Sequence, residues 1–223
     1  MCSSAIFVFG IAIILHVTQG NLGDIANHLI QKREISNQFP YLAKLGYQTK
    51  FGLIWGCTGA LTFPTNTILT ANFCISQKAY GGNLNIVQIE NRNYSVLEKK
   101  VVTDEIGAVI LDKNTDSAKA CILKNPSIPV NTTAIIAGWG GMSPENQLHG
   151  TINKELAESM VTVLEVSKQT IKVQSTSDSP CFADRGGPLQ IPSKDPECRY
   201  NVIGFLKEWK NCGEPNSFGT YIF

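Results

Sequence analysis

Past residue 36 the apolar residues of this chain fall in short β-rich runs, namely YLAKLGY, NTILTA, NIVQIE, AVILDK, TAIIAGWG, MVTVLEV, TIKVQS, NVIGFL and GTYIF. Turn-forming residues break them roughly every eight to fifteen positions, which leaves no room for crossover helices. Strands spaced this closely must turn back on their neighbours, so the pattern predicts an all-β protein of antiparallel sheets closed as a sandwich or barrel. Residues 154 to 165 have helical character for a turn or two, but Met160-Val161-Thr162-Val163 favours strand. Asn125-Pro126 and Ile128-Pro129 interrupt regular structure and predict a connector between two β halves over 118 to 130.

Hydrophobic residues make up 43% and charged residues 17%, with 19 Gly and 10 Pro, which excludes disorder, collagen and coiled coil. A chain of 223 residues is one domain of ordinary size or two small ones. The net charge of +1 provides no field for nucleic acid or an anionic membrane, so neither is expected as a partner.

Residues 5 to 15, AIFVFGIAIIL, are uncharged and apolar, and HVTQG follows with the small residues Thr18 and Gly20. The run is shorter than the ~18 residues a membrane span needs, and it predicts a secretory signal peptide over 1 to 20, although no Lys or Arg precedes it. Its removal takes Cys2 away and leaves six cysteines, Cys57, Cys74, Cys121, Cys181, Cys198 and Cys212. An even count in a secreted chain predicts disulfides, whose pairing the count alone leaves open. No C-x-x-C or His/Cys cluster suits zinc, so neither a metal nor a cofactor is expected. The sequons Asn93-Tyr94-Ser95 and Asn131-Thr132-Thr133 are candidate glycosylation sites on surface loops.

Four segments in order resemble the trypsin-like serine proteases of the chymotrypsin fold, the peptidase S1 family. CTGALTFPTNTILTANFC, residues 57 to 74, is similar to the family's segment ending in "LTAxHC". Glu105-Ile106-Gly107-Ala108-Val109-Ile110 is similar to "DIALL", Gly138-Trp139-Gly140 to the GWG turn, and CFADRGGPL, residues 181 to 189, to "CxGDSGGPL". The resemblance covers nearly all of residues 21 to 223 and implies two antiparallel Greek-key β-barrels, about 36–118 and about 130–223. It implies bridges Cys57–Cys74 and Cys181–Cys212, leaving Cys121–Cys198. Relatives continue for roughly another twenty residues into a closing helix beyond the position of Phe223, and the resemblance marks that helix as missing here.

In this family a serine attacks the carbonyl, a histidine takes its proton and a buried aspartate orients the histidine. The matching positions here hold Arg185, Phe73 and Glu105. Arg185 has no nucleophilic atom and Phe73 no proton acceptor. Of the remaining histidines, neither His28 nor His149 stands in such a motif. The glycine that donates an oxyanion N–H is replaced by Ala183. Ser179 falls at the base of the specificity pocket, and Lys207-Glu208-Trp209 replaces Ser-Trp-Gly on its wall, where the indole is expected to fill the pocket mouth, while Gly219 matches the far-wall glycine. Residues 30 to 35 lack the paired glycines of a zymogen cleavage site, so Asp184 loses its usual partner amine. Arg185 is then either a substitute counter-ion for Asp184 or a solvated surface side chain.

These substitutions imply a secreted pseudoprotease that binds another protein, as a monomer and without a cofactor. They are similar to those of the inactivated serine protease paralogues of mites, relatives of the group 3 mite allergens, a resemblance that implies a host plasma or defence protein, such as a complement component, as partner. The interface is expected on the rim formed by Phe73, Ser179, Ala183 to Arg185, Lys207 and Trp209. Trp209 serves there either as an anchor or as a plug of its own pocket, and Phe73 either fills the imidazole's place or binds directly. The opposing class is a weakly active or unconventional endopeptidase using Ser177 or Ser179, neither of which has a visible base. A folded relic without a partner is the third reading.

Overall fold

The structure is a computed structural model and describes residues 38–76, 79–124, 126–140, 152, 155–175, 183–211 and 216–223. Strands β1 (Leu42–Thr49), β2 (Gly52–Thr62), β3 (Thr67–Ala71), β4 (Asn83–Ile89), β5 (Arg92–Val101) and β6 (Ile106–Leu111) form a closed antiparallel barrel in the order β1-β2-β3-β6-β5-β4. Two three-strand meanders joined through β3–β6 and β1–β4 give it Greek-key connectivity.

The second half contains β7 (Cys121–Ile122), β8 (Thr133–Gly138), β9 (Ala157–Val166), β10 (Thr170–Ser175), β11 (Pro188–Pro192), β12 (Tyr200–Lys210) and β13 (Phe218–Ile222). Their order is β11-β8-β9-β10-β13-β12, and pairing of β11 with β12 closes this ring as a second barrel. The two-residue β7 adds to β12 in parallel within the predicted connector.

All nine runs read from the sequence lie wholly or mostly on strands, and the ambiguous stretch before Glu165 is strand from Ala157. Alternation supplies part of the cores: Val161 and Val163 are buried while Met160, Thr162 and Leu164 are more exposed, and Ile171 and Val173 follow the same rhythm. Burying each such aliphatic side chain contributes on the order of 1.5–3 kcal/mol. Val202, Phe205 and Ile222 from the second barrel join the first barrel's cluster, so the apolar core is continuous across the seam.

Disulfides Cys57–Cys74 and Cys121–Cys198 are present. The first ties β2 to the one-turn helix α1 (Asn72–Ile75), and the second ties β7 to the segment before β12. Cys181 and Cys212 lie outside the described residues, as do residues 1 to 37 with the predicted leader. No helix among the described residues is long and apolar enough to cross a membrane.

Candidate functional site

At the seam, the first barrel contributes Phe73 and Glu105 of the side chains singled out in the sequence, and the second contributes Ala183, Asp184, Arg185, Lys207 and Trp209. Phe73 is carried by α1, a single turn without a side-chain N-cap. Cys74 and Ile75 are buried on its inner face, Cys74 by the disulfide and Ile75 against Gly107, where an added Cβ would sit 2.6 Å from Ile75 Cδ1. The helix therefore directs Phe73 outward, leaving it 40% exposed. Its ring meets Tyr80 edge-on at 5.8 Å, and Tyr80 meets Tyr47 at 5.0 Å, so the side chain stands on an aromatic column. Burial pushes the Tyr80 phenol up to about 12, with Arg185 opposing the rise and Asp184 adding to it.

Arg185 comes from the loop between residues 183 and 187, which backbone bonds fasten to both barrels. Thr58 N–H donates to the Arg185 carbonyl at 2.9 Å, and Gly186 N–H donates to the Leu206 carbonyl at 2.8 Å. Gly186 has φ +78°, and a Cβ there would lie 2.0 Å from Thr70 Oγ1, so only glycine passes. With its backbone held, Arg185 turns its guanidinium over Phe73, the carbon lying 4.2 Å from the ring centroid. Such a cation–π contact is worth about 0.5–1 kcal/mol when exposed and ~2 when desolvated.

Asp184 takes a different direction. Its Oδ1 accepts a 2.8 Å hydrogen bond from Gly140 N–H, and it packs so closely on Gly138 that a Cβ there would lie 2.0 Å from Oδ1. The glycines flanking Trp139 are thus the ones that admit this carboxylate. Arg185, partly exposed, stacks on Phe73, while Asp184 bonds to Gly140.

Glu105 is fixed beside α1 because its carbonyl accepts from Asn72 N–H at 2.7 Å, while Thr103 Oγ1 accepts from the N–H groups of Glu105 and Ile106. Its carboxylate pairs with Lys207 Nζ at 2.5 Å across the seam. Lys207 is the extra residue of a bulge in β12, since Leu206 opposes Tyr221 and Glu208 opposes Thr220. The bulge re-aims the lysine out of the barrel wall toward Glu105.

Two residues further along β12, Trp209 lies directly opposite Gly219. A Cβ on Gly219 would sit 2.0 Å from Trp209 Cζ3, so the indole lies flat against the glycine that forms the other wall. The ring packs edge-on to Tyr221 at 6.5 Å against the second barrel's core, while its buried Nε1 has no hydrogen-bond partner among the described residues. The indole is partly exposed along this contact. Ser177, Ser179 and His149 lie outside the described residues.

Ala183, at the position matched to the oxyanion glycine, is 3% exposed and has φ +70°, a left-handed conformation disfavoured by about 1–2 kcal/mol for a residue with a Cβ. Its carbonyl accepts from Thr58 Oγ1 at 2.8 Å, which holds it there. Thr58, Thr70 and Tyr80 were not singled out in the sequence, because ordinary Thr and Tyr residues in a strand-rich chain carry no signal of a contact more than a hundred positions away. Asn93 and Asn131 are both exposed, but only Asn131, at φ +66° in a turn, lies on a loop as expected; Asn93 lies in strand β5, opposite Gln88, whose Nε2 donates to its Oδ1 at 3.1 Å. Among the described residues no cluster of His, Cys, Asp and Glu could hold a metal ion.

Two six-stranded barrels meeting at a seam, with a disulfide-tied helix facing a glycine-bracketed loop, define the architecture of the chymotrypsin-like proteins. A family model for trypsin matches residues 30–223, and the chain belongs to the trypsin family. No curated protein matches the chain.

Proposed function

We propose that this trypsin-family chain is a secreted, catalytically inactive homologue that acts by binding another protein. The observation that carries the reading is the contact between Arg185 and Phe73. Acyl transfer needs a nucleophile next to a proton acceptor. A guanidinium, charged at any accessible pH, resting on a benzene ring supplies neither group. The pairing of Glu105 with Lys207 and the seating of Trp209 against Gly219 support the same reading, since both occupy positions that the family's chemistry keeps for other side chains.

Within this reading the partner is a plasma or defence protein of a host, and the chain interferes with a pathway such as complement. The resemblance to the mite inactivated paralogues supports that narrower assignment. The test is affinity capture from host plasma by the disulfide-bonded chain, with an active trypsin-like protease and the double variant Arg185→Glu, Trp209→Ala as controls. A saturable partner retained by the wild type alone is the expected result. Retention that is equal on all three, or absent, contradicts the proposal.

A further inference from the structure

We infer that Arg185 is a receptor for a carboxylate, presented to it by an acidic, partly apolar segment of the partner protein. This rests on the proposed binding role and states the chemistry of that interface. The guanidinium is only partly buried, and its flat face is committed to Phe73 at 4.2 Å. Its N–H edges enter no ion pair or hydrogen bond among the described residues. A guanidinium offers five donors in a planar fork that fits the two oxygens of a carboxylate. Stacking fixes the plane of that fork, and the bonds at Thr58 and Leu206 fix the backbone beneath it, so little rotamer freedom is left to lose on binding.

The neighbouring charges leave the position open to an anion. Asp184 is engaged by Gly140 N–H and Glu105 by Lys207, so these two carboxylates are already held elsewhere. Asp104 is exposed on the loop before β6, and Lys99, bonded to Asn83 Oδ1 at 2.9 Å, lies on the same side of the barrel. Next to Phe73 opens a hollow of about 590 Å³ where Phe73, Ile75 and Val101 supply apolar surface among the polar and charged residues Asn72, Ser76, Lys99, Asp104 and Glu105. It has room for an apolar side chain beside the acidic one. The fitting segment therefore carries a Glu or Asp next to a Leu-like residue.

The probe is a fluorescent, end-blocked hexapeptide, Glu-Leu-Glu-Glu-Leu-Glu, titrated at physiological salt and read by anisotropy. Its Gln-for-Glu counterpart and heparin are titrated alongside. Saturable binding of the acidic peptide is expected, at least tenfold weaker for Arg185→Gln and for Arg185→Lys, which keeps the charge but loses the fork. Arg92→Gln, at an exposed arginine paired with Asp116, should bind like the wild type. Near-UV circular dichroism verifies that each variant is folded.

Absence of saturable binding, equal binding by the Gln peptide, or indifference to both Arg185 variants would overturn the inference. Heparin binding through Arg185 without peptide binding would overturn it as well, assigning the site to a sulfated polysaccharide. Each preparation is also treated with a fluorophosphonate probe. Labelling refutes the inactive-scaffold reading whatever the peptide does, whereas no labelling and no peptide binding refutes the receptor alone.

Discussion

The guanidinium of Arg185 and the ring of Phe73 form a stack 4.2 Å apart that joins the two barrels at their seam. Beside it the ion pair of Glu105 and Lys207 makes a second crossing. All three residues at positions the family reserves for its catalytic groups are therefore engaged with a side chain of the opposite barrel. The stack depends on an outward-facing Phe73, and that depends on a helix one turn long with its inner face closed by Cys74 and Ile75.

Breaking Cys57–Cys74 should loosen that helix. The bridge spans 17 residues, and releasing such a loop costs about 3 kcal/mol in the chain-entropy account. The double variant Cys57→Ala, Cys74→Ala should lower the denaturant midpoint accordingly, and amide exchange should rise first over 72 to 75. A change below about 1 kcal/mol would contradict this role.

The packing of Trp209 on Gly219 predicts a non-additive pair. Gly219→Ala alone puts a methyl where the indole lies and should cost about 1–3 kcal/mol, expelling the ring and shifting its fluorescence to the red. In a Trp209→Ala background the same change has room and should cost far less. A thermodynamic cycle should return a coupling of about 1–2 kcal/mol. Additive effects would place the indole elsewhere.

The ion pair makes the opposite prediction. Glu105 and Lys207 are 41% and 43% exposed in their side chains, so solvent screens their attraction. A cycle over Glu105→Gln and Lys207→Met should give no more than about 1 kcal/mol, falling further as salt is added. A larger, salt-insensitive coupling would contradict this estimate of the pair.

Alkaline titration reads the buried tyrosines. Tyr41, Tyr47, Tyr80 and Tyr221 are all raised above 10.0, first of all by burial. A phenol raised on folding contributes stability that is complete below the unfolded value near 10 and is lost as pH climbs through the folded value, about 12 for Tyr80. Unfolding free energy should therefore be insensitive to these groups below pH ~10 and fall above it, with their tyrosinate absorbance appearing together with unfolding. Smooth ionisation of these four tyrosines near pH 10 in a folded protein would show their rings to be exposed.

Fold class was legible because short β-rich runs recur between turn residues, and those around Val163 and Val173 alternate as strands buried on one face must. Strand β5 escaped the reading: its sequence RNYSVLEKKV is mostly polar, and a register shift between Val96 and Glu98 breaks the inside-outside rhythm. The substituted positions were also legible, since motifs flanking Phe73 and Arg185 fix where they stand in the chain. What they touch was not. A cation beside an acid, Arg185 after Asp184, suggests a local pair by charge alone, whereas the outcome turns on the backbone turn at Gly186, φ +78°, and on the Gly140 N–H that holds Asp184. The aim of Lys207 likewise follows from a bulge, a matter of pairing between two strands that neither strand encodes by itself.

The measurement that tests the central claim most directly is reaction of the folded, disulfide-bonded chain with a fluorophosphonate serine-hydrolase probe, read by intact mass. The account predicts no adduct under conditions in which trypsin is labelled to completion. A stoichiometric adduct mapping to a single serine would contradict it.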